Sequence, residues 1–177
     1  MAPSARASGD LAIAVGKLTR THGVRGECRL VPYFEDALFA LRGKSVTLTP
    51  QGRPAHQRKL LELRPGPKSL LARFEGIDSP EAAQPILPAV VTAPKRLLPP
   101  LPKGEYYYEE IIGLPAYDEA GRALGRLTEF FEAGEKDVWT FTGDGGQELM
   151  LPCLPETILS VDLEAERIVV RPMETVE

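Results

Sequence analysis

Short apolar stretches separated by turn-forming residues run along the whole chain, and most alternate between apolar and polar positions. Leu11, Ile13 and Val15 alternate with smaller residues, which predicts a strand with one buried face. The stretch "RGECRLVPYF" predicts a second strand that pairs back on the first through a glycine-containing turn. Many short strands without long helical segments predict a mainly β protein built from closed antiparallel sheets.

The rest of the first half contains four further strand candidates and two short helices. The strand candidates are "SVTLTP", "HQRKLLELR", "SLLARFEG" and "PAVVTAP", and the turn "PGPK" joins the middle two. The stretch "DALFALRG" predicts a helix with Asp36 as its N-cap and Gly43 at its end. The stretch "DSPEAAQ" predicts a second helix, capped by Ser79, with Pro80 at its first position and interrupted by Pro85.

Four prolines within the stretch "APKRLLPPLPKG" separate this half from the rest of the chain. Prolines at this density hold the backbone extended and donate no hydrogen bonds, which predicts a linker between two domains. We therefore expect a flexible N-terminus, a first domain, a linker, a second domain and a short tail, at residues 1–10, 11–93, 94–104, 105–172 and 173–177 respectively.

The second half also consists of apolar segments divided by turns. The turns are "DEAGR", "EAGEKD", "GDGGQ" and "LEAER", and the segments are "LPAYD", "ALGRLTEFF", "DVWTFTG", "ELMLPCL" and "ERIVVRP". In "DVWTFTG", Trp139 and Phe141 face one way and the neighbouring Val138, Thr140 and Thr142 the other, as in a strand with one buried side. We expect a meander of hairpins that forms a second small barrel.

Charge is divided unevenly between the two halves. Residues 1–100 contain 15 Lys and Arg against 8 Asp and Glu, which gives a net charge of +7. Residues 101–177 contain 6 against 17, which gives −11, and the two halves add to the −4 of the chain. Because summed surface charge steers association, we expect the first half to face an anionic polymer and the second a cationic partner. The alternative is an accidental division of charges that serve only solubility.

The densest group of cations lies in "KLTRTHGVRGECR", at the predicted turn between the first two strands. Glu27 is the only acidic residue of this stretch. Its one lysine, three arginines and His22 can donate to phosphate oxygens, and we predict that these five residues bind RNA: Lys17, Arg20, His22, Arg25 and Arg29. A solvated charged turn explains the stretch taken alone, but the positive charge of the surrounding half favours nucleic acid.

Three successive tyrosines follow the predicted linker in "EYYYEE", flanked by glutamates. Tyrosine is a frequent anchor of protein interfaces, and the flanking carboxylates would attract a basic protein. The alternative is that at least one ring belongs to the core. Glu109 and Glu110, read as neighbours on a strand, face opposite ways and do not form an acid and base pair, so a structural or partner-facing role is favoured.

No group of residues in the sequence indicates an enzyme, a cofactor or a metal site. His22 and His56 are the only histidines, and no acid or cysteine lies at ligand spacing from them. Cys28 and Cys153 are 125 positions apart without a CxxC pair, so we expect buried free thiols. The sequence lacks a secretory signal and a long apolar segment, which predicts a cytoplasmic protein.

Four stretches, in order from about residue 11 to 172, resemble the bacterial RimM family of ribosome maturation factors. They are "VGKLTRTHGVRGECRLVPYFED", "FEGIDSPEAAQPIL", "GEYYYEEIIGLPAYDEAGRALGRLTEFFEAGEKDVWTF" and "ELMLPCLPETILSVDLEAERIVVRP". The resemblance implies a six-stranded N-terminal barrel of the translation-factor type, joined to a C-terminal PRC barrel. In three places the chain differs from the usual family pattern. Cys28 replaces an aliphatic residue, Pro85 and Pro88 interrupt the end of the first barrel, and the tail "RPMETVE" lacks the usual leucine-rich ending.

The resemblance also implies a function without catalysis. Members of the family bind the head of the immature small ribosomal subunit and the basic head protein numbered nineteen, and they promote maturation of small-subunit ribosomal RNA. The family's tyrosine pair, tied to ribosome binding, falls here on Tyr106 and Tyr107, and we expect Glu109 and Glu110 to share the contact. We expect a monomer. Two alternatives stay open: an RNA-modifying enzyme with an unrecognised site, and an adaptor that binds protein without RNA.

Overall fold

The structure is a computed structural model that describes residues 8–173. Most of the predicted N-terminal segment and of the predicted tail therefore lies outside the described residues. The described chain divides into a first compact unit, Gly9–Lys103, and a second unit that contains residues 104–173. No helix within residues 8–173 has the length and apolar character needed to cross a membrane.

The first unit is a closed barrel of six antiparallel strands, which confirms the predicted fold of this half. Its strands are β1 (Ala12–His22), β2 (Glu27–Pro32), β3 (Ser45–Pro50), β4 (His56–Gly66), β5 (Ser69–Phe74) and β6 (Ala89–Pro94). They follow each other around the barrel in the order β1, β2, β5, β4, β3 and β6. Closure leaves no free strand edge, so each strand pairs on both sides.

The predicted alternation places the core inside the barrel and the charges outside. Ile13, Val15 and Leu18 of β1 are fully buried, whereas Lys17 and Arg20 of the same strand are exposed. The register of β1 with β2 shifts between Leu18 and Thr21, where the strand carries a bulge. Because a bulge re-aims side chains and increases the local twist, the polar end of β1 leaves the core as it approaches the turn to β2.

Helix α1 (Glu35–Ala40) does not begin as predicted. Its N-cap residue is Phe34, which makes no side-chain cap bond, and Asp36 lies inside the first turn. The predicted Asp36 cap is therefore wrong. The backbone N–H groups of Tyr33 and Phe34 both donate to the Val15 carbonyl, at 2.9 and 3.4 Å. We attribute the helix start to this docking on β1, because it fixes the chain direction before a side-chain cap is needed.

Helix α2 (Pro80–Ala83) begins as predicted. The Ala82 N–H donates to the Ser79 hydroxyl at 3.1 Å, and Pro80 occupies the first turn. A 3₁₀ turn over Gln84–Ile86 follows and contains Pro85, so the helix is as short as the proline predicts.

Part of the segment predicted as an extended linker is folded onto the first unit. Pro94 ends β6, and Lys95–Leu97 form a 3₁₀ turn. The Lys95 N–H donates to the Leu11 carbonyl at 2.9 Å, and the Arg96 N–H donates to the Gly9 carbonyl at 2.8 Å. These three residues contain no proline, so their backbone N–H groups are available for bonds that the prolines on either side cannot make.

The second unit contains a six-stranded sheet and a short helix, α3 (Tyr108–Ile111). Its strands are β7 (Pro115–Tyr117), β8 (Ala123–Ala133), β9 (Lys136–Thr142), β10 (Glu148–Pro152), β11 (Ile158–Asp162) and β12 (Arg167–Val170). The order across the sheet is β10, β9, β8, β7, β12 and β11, and only β7 and β12 are parallel. Strand β11 was not among the predicted segments. It is short and has no fully buried residue, so its apolar pattern is weak.

The core of the second unit lies on the face of β9 that carries Trp139 and Phe141, as predicted. The opposite face differs from the prediction, because Thr140 is also fully buried and its hydroxyl has no hydrogen-bond partner within the described residues. The Thr128 hydroxyl, at a bulge of β8, donates to the Thr140 carbonyl at 3.2 Å and shares a hydrogen bond with the Thr142 hydroxyl at 2.9 Å. Neighbouring threonines therefore crowd the centre of this face.

Both cysteines are free thiols, but only Cys28 is fully buried, whereas Cys153 is half-buried. Burial raises the pKa of the Cys28 thiol to about 11. The thiol therefore stays protonated at neutral pH and packs as a small apolar side chain, which suits a position inside β2.

Candidate RNA and protein interfaces

The cationic stretch forms the hairpin between β1 and β2, which we call the basic hairpin and define as residues 17–29. Gly26 lies in its turn with φ of +85°, and it is buried. A Cβ at this position would lie 2.4 Å from the Ile77 carbonyl oxygen and 2.8 Å from the Ser79 nitrogen. Only glycine lets the turn seat against the chain that leads into α2. Val24, which precedes this glycine by two residues, is highly exposed.

The structure brings the five predicted RNA-binding residues onto this one hairpin. Lys17, Arg20, His22 and Arg25 are exposed, and none of these four makes a salt bridge within residues 8–173. Arg29 is half-buried, and its guanidinium donates to the Pro67 carbonyl at 3.1 Å. Four of the five predicted residues therefore have their donors available for an anionic ligand, while Arg29 also fixes the turn between β4 and β5.

The one acidic residue of the basic hairpin is paired with an arginine from another strand. Arg64 of β4 donates Nε to Glu27 Oε2 at 2.8 Å and a terminal nitrogen to Oε1 at 3.0 Å. The hydrogen bond from Arg64 lowers the pKa of Glu27, and the charges of Arg64, His22 and Arg25 act in the same direction. Glu27 therefore remains ionised, and Arg64 compensates its negative charge. The outer face of the hairpin keeps an excess of positive charge.

The tyrosine segment, defined as residues 105–110, does not form the strand that was assumed for it. Its last three residues belong to α3. The Tyr107 N–H donates to Glu110 Oε2 at 2.9 Å, and Glu110 is only 2% exposed. A glutamate three residues into a helix that accepts from the N-cap N–H is a recognised way of closing a first turn. Glu110 therefore has a structural role in α3, and its burial leaves little of its surface for the predicted contact with a partner.

The three rings of the tyrosine segment have different surroundings. Tyr107 is 2% exposed, so it offers almost no surface for the predicted contact with a partner. Tyr106 is half-buried against the core of the second unit, and burial together with the Glu110 charge raises its pKa. Tyr108 is 45% exposed, and its ring centroid lies 5.3 Å from that of Phe130.

Of the three rings in the tyrosine segment, Tyr108 is thus the most exposed, although the family's tyrosine pair falls on Tyr106 and Tyr107. Its neighbour Phe130 lies 6.4 Å from Trp139 in the core, measured between ring centroids. A row of aromatic rings therefore runs from the core to the surface and holds Tyr108 in place, which limits the side-chain entropy that binding would cost. Glu109, beside it in α3, is partly exposed.

Among residues 8–173, no group of three His, Cys, Asp or Glu side chains is arranged to hold a metal ion. The two candidate interfaces consist of charged groups and aromatic rings, and their side chains belong to different folded units.

The fold and these surfaces define a class of two-domain β protein, in which a RimM N-terminal domain, matched over residues 13–98, precedes a PRC-barrel domain, matched over residues 103–177. The ribosome maturation factor RimM of Syntrophobacter fumaroxidans is 34% identical over 158 residues, covering 89% of this chain and 89% of its own. That of Pelobacter propionicus is 33% identical over 162 residues, covering 92% of this chain and 93% of its own. The chain belongs to the RimM family.

A solved structure is also similar to this chain. The crystal structure of a 16S ribosomal RNA processing protein RimM from Pseudomonas aeruginosa is 28% identical. The match covers 90% of this chain and 96% of that one, with a TM-score of 0.44. The family models and the relatives confirm the family resemblance inferred from the four sequence stretches.

Proposed function

We propose that this chain is a cytoplasmic assembly factor, without catalytic activity, that binds the head of the immature small ribosomal subunit. Membership of the RimM family supports a role in ribosome maturation. The observation that carries the proposal is the division of binding chemistry between two folded units. One unit presents an exposed basic hairpin, and the other, in an acidic half of the chain, presents an exposed tyrosine.

The proposed protein contact is the basic ribosomal protein of the head that is numbered nineteen. Tyr108 supplies an apolar ring with a polar tip, and Tyr106 and Glu109 complete the surface beside it. The charge of −11 in residues 101–177 favours a cationic partner over an anionic one. Tyr107 and Glu110 contribute by shaping α3 beneath this surface.

The proposed RNA contact is the basic hairpin with small-subunit ribosomal RNA. Arginine and lysine bind phosphate oxygens and position a protein on RNA without reading its sequence. Holding the ribosomal protein and the RNA together favours the arrangement in which both contacts can be made. Binding energy alone then shifts the assembly intermediate toward the mature arrangement. The shift is about 1.4 kcal/mol for each tenfold difference in the affinity of this chain for the two arrangements. This shift promotes processing of the RNA by other factors.

We expect Tyr108→Ala to weaken binding to immature small subunits by about tenfold or more, since exposed aromatic anchors often dominate interface energies. The measurement is co-sedimentation with immature subunits at several protein concentrations. Met150→Ala is the matched control, because Met150 lies in the same unit and is 52% exposed. Unfolding followed by fluorescence of Trp139, the single tryptophan of the chain, checks that both variants are folded. Equal binding of wild type and Tyr108→Ala would contradict the protein contact.

We expect Arg20→Gln combined with Arg25→Gln to reduce the salt dependence of RNA binding. Each lost phosphate contact lowers the slope of log affinity against log salt concentration by about 0.7 to 0.9, so two contacts lower it by about 1.4 to 1.8. Arg42→Gln with Lys44→Gln is the matched control, since it removes the same charge from exposed positions of the same unit. An equal reduction of the salt slope in both double variants would indicate that RNA binds through net charge alone. A wild-type slope near zero would contradict the RNA contact and favour the alternative of an adaptor that binds protein without RNA.

A further inference from the structure

An exposed apolar and aromatic patch lies at the base of the basic hairpin. Val31, Tyr33 and Phe34 are all exposed, with half of the Tyr33 surface accessible, although large apolar side chains are mostly buried elsewhere in this unit. Val31 is paired directly with Lys17 across the two strands. The patch is therefore continuous with the cationic face of the hairpin. Together they are complementary to a ligand with both an apolar and an anionic part.

The backbone under the Tyr33 ring is fixed at several points. The Tyr33 N–H donates to the Val15 carbonyl at 2.9 Å, and the preceding Pro32 is in register with Gly16. On the other side, the Leu38 N–H donates to the Phe34 carbonyl at 3.2 Å, where α1 begins. Within residues 8–173 the Tyr33 ring stacks on no other ring. A rigidly mounted ring with a free face costs little entropy when a flat ligand covers it.

The charges around Tyr33 differ on its two sides. Lys17 and Arg20 lie toward the tip of the basic hairpin, whereas the exposed Glu35 and Asp36 follow in α1. A phosphate group is attracted to the first side and repelled from the second. An uncharged planar group is free to cover the ring between them. This arrangement matches a nucleotide whose phosphate lies toward Lys17 and whose base lies on Tyr33.

We propose that Tyr33 is a stacking platform for an unpaired nucleobase of single-stranded RNA, whose phosphates follow the basic hairpin. The inference rests on the proposed RNA contact of that hairpin. Only an unpaired base can offer its face to a protein ring, since the bases of a duplex are stacked on each other. From Glu27 to Tyr33 the chain advances six residues, about 20 Å at roughly 3.3 Å per strand residue. That length suits a short single strand, since small domains that bind single strands cover about 4 to 16 nucleotides.

The test compares the full-length chain with Tyr33→Ala for binding to two fluorescent RNAs with equal numbers of phosphates. One is a single-stranded adenosine oligonucleotide, and the other is a closed RNA hairpin with a minimal loop. We expect Tyr33→Ala to weaken binding of the single strand by about five- to a hundredfold, the usual effect of removing one stacked base. Binding of the duplex and the salt slope should not change, because no charge is removed. Tyr33→Phe should retain most of the affinity.

Leu61→Ala is the matched control, since Leu61 is a 38% exposed apolar residue of β4 in the same unit, and thermal unfolding checks the fold of each variant. If Tyr33→Ala binds the single strand as wild type does, while the Arg20 and Arg25 double variant loses affinity, the platform is refuted and the basic hairpin stands. If the wild type binds neither RNA, both proposals fail. Loss of binding to small subunits with unchanged oligonucleotide affinity would assign the patch to a protein contact and also refute the platform.

Discussion

Gly26→Ala is expected to destabilise the first unit by about 2 to 5 kcal/mol. The residue has φ of +85°, a conformation that costs an L-residue roughly 1–2 kcal/mol. The new methyl group would also lie 2.4 Å from the Ile77 carbonyl oxygen, which belongs to the backbone and has no rotamer to escape into. Overpacking of this kind typically costs a further 1–3 kcal/mol. The basic hairpin would then separate from the chain before α2, and its cations would lose their fixed spacing.

Gly23→Ala provides the control in the same turn. Gly23 also has a positive φ, of +68°, but nothing lies within 4 Å of the position its Cβ would occupy. We expect a loss of about 1 to 2 kcal/mol, from the backbone conformation alone. Denaturant unfolding followed by circular dichroism measures both variants, since the single tryptophan, Trp139, lies in the second unit and does not report on the barrel. Equal losses for the two glycines would show that the contact with Ile77 has no energetic weight.

Local rules predicted those parts of the fold that are determined locally. Strand β3 coincides with the alternating stretch "SVTLTP", and α2 begins at the serine and proline that cap it. Closure of the first sheet was predictable because short strands and tight turns leave few alternatives. In these places the sequence pattern and the tertiary structure favour the same arrangement, and neither overrides the other.

Contacts between distant residues determined what the sequence pattern missed. The beginning of α1 depends on the Val15 carbonyl, which lies about twenty positions earlier in the chain than the helix. The compensation of Glu27 depends on Arg64, 37 positions away, and no local pattern indicates that pair. Burial of Thr140 depends on neighbouring strands, since alternation along one strand cannot show what covers its second face.

The places of the candidate interfaces in the chain were predictable, but the exposure of their side chains was predictable only in part. Composition was sufficient to identify the cationic turn, because its residues are neighbours in sequence and a hairpin keeps them together. The tyrosine segment was harder, since a strand would have placed Tyr106 and Tyr108 on one side and Tyr107 on the other. The turn into α3 changes the exposure of these rings.

Tyr107→Ala is expected to lower the free energy of unfolding of the chain by about 3 to 5 kcal/mol, the usual cost of removing a buried aromatic ring. Tyr107 is 2% exposed, and its N–H holds the Glu110 carboxylate, so the loss of packing acts where α3 begins. Tyr107→Phe is the matched control, because it keeps the ring and removes only a hydroxyl, with an expected loss of at most about 1.5 kcal/mol. Denaturant unfolding followed by circular dichroism measures both variants.

The outcome for Tyr107 determines how binding data on the tyrosine segment must be interpreted. A variant that lacks both Tyr106 and Tyr107 would lose small-subunit binding because α3 is no longer held, even if neither ring touches the partner. Tyr108→Ala removes a ring that is 45% exposed, so its binding defect should appear with a loss of stability well below that of Tyr107→Ala. If Tyr107→Ala instead unfolds like the wild type and still fails to bind small subunits, Tyr107 itself contacts the partner, and the assignment of the contact to Tyr108 is wrong.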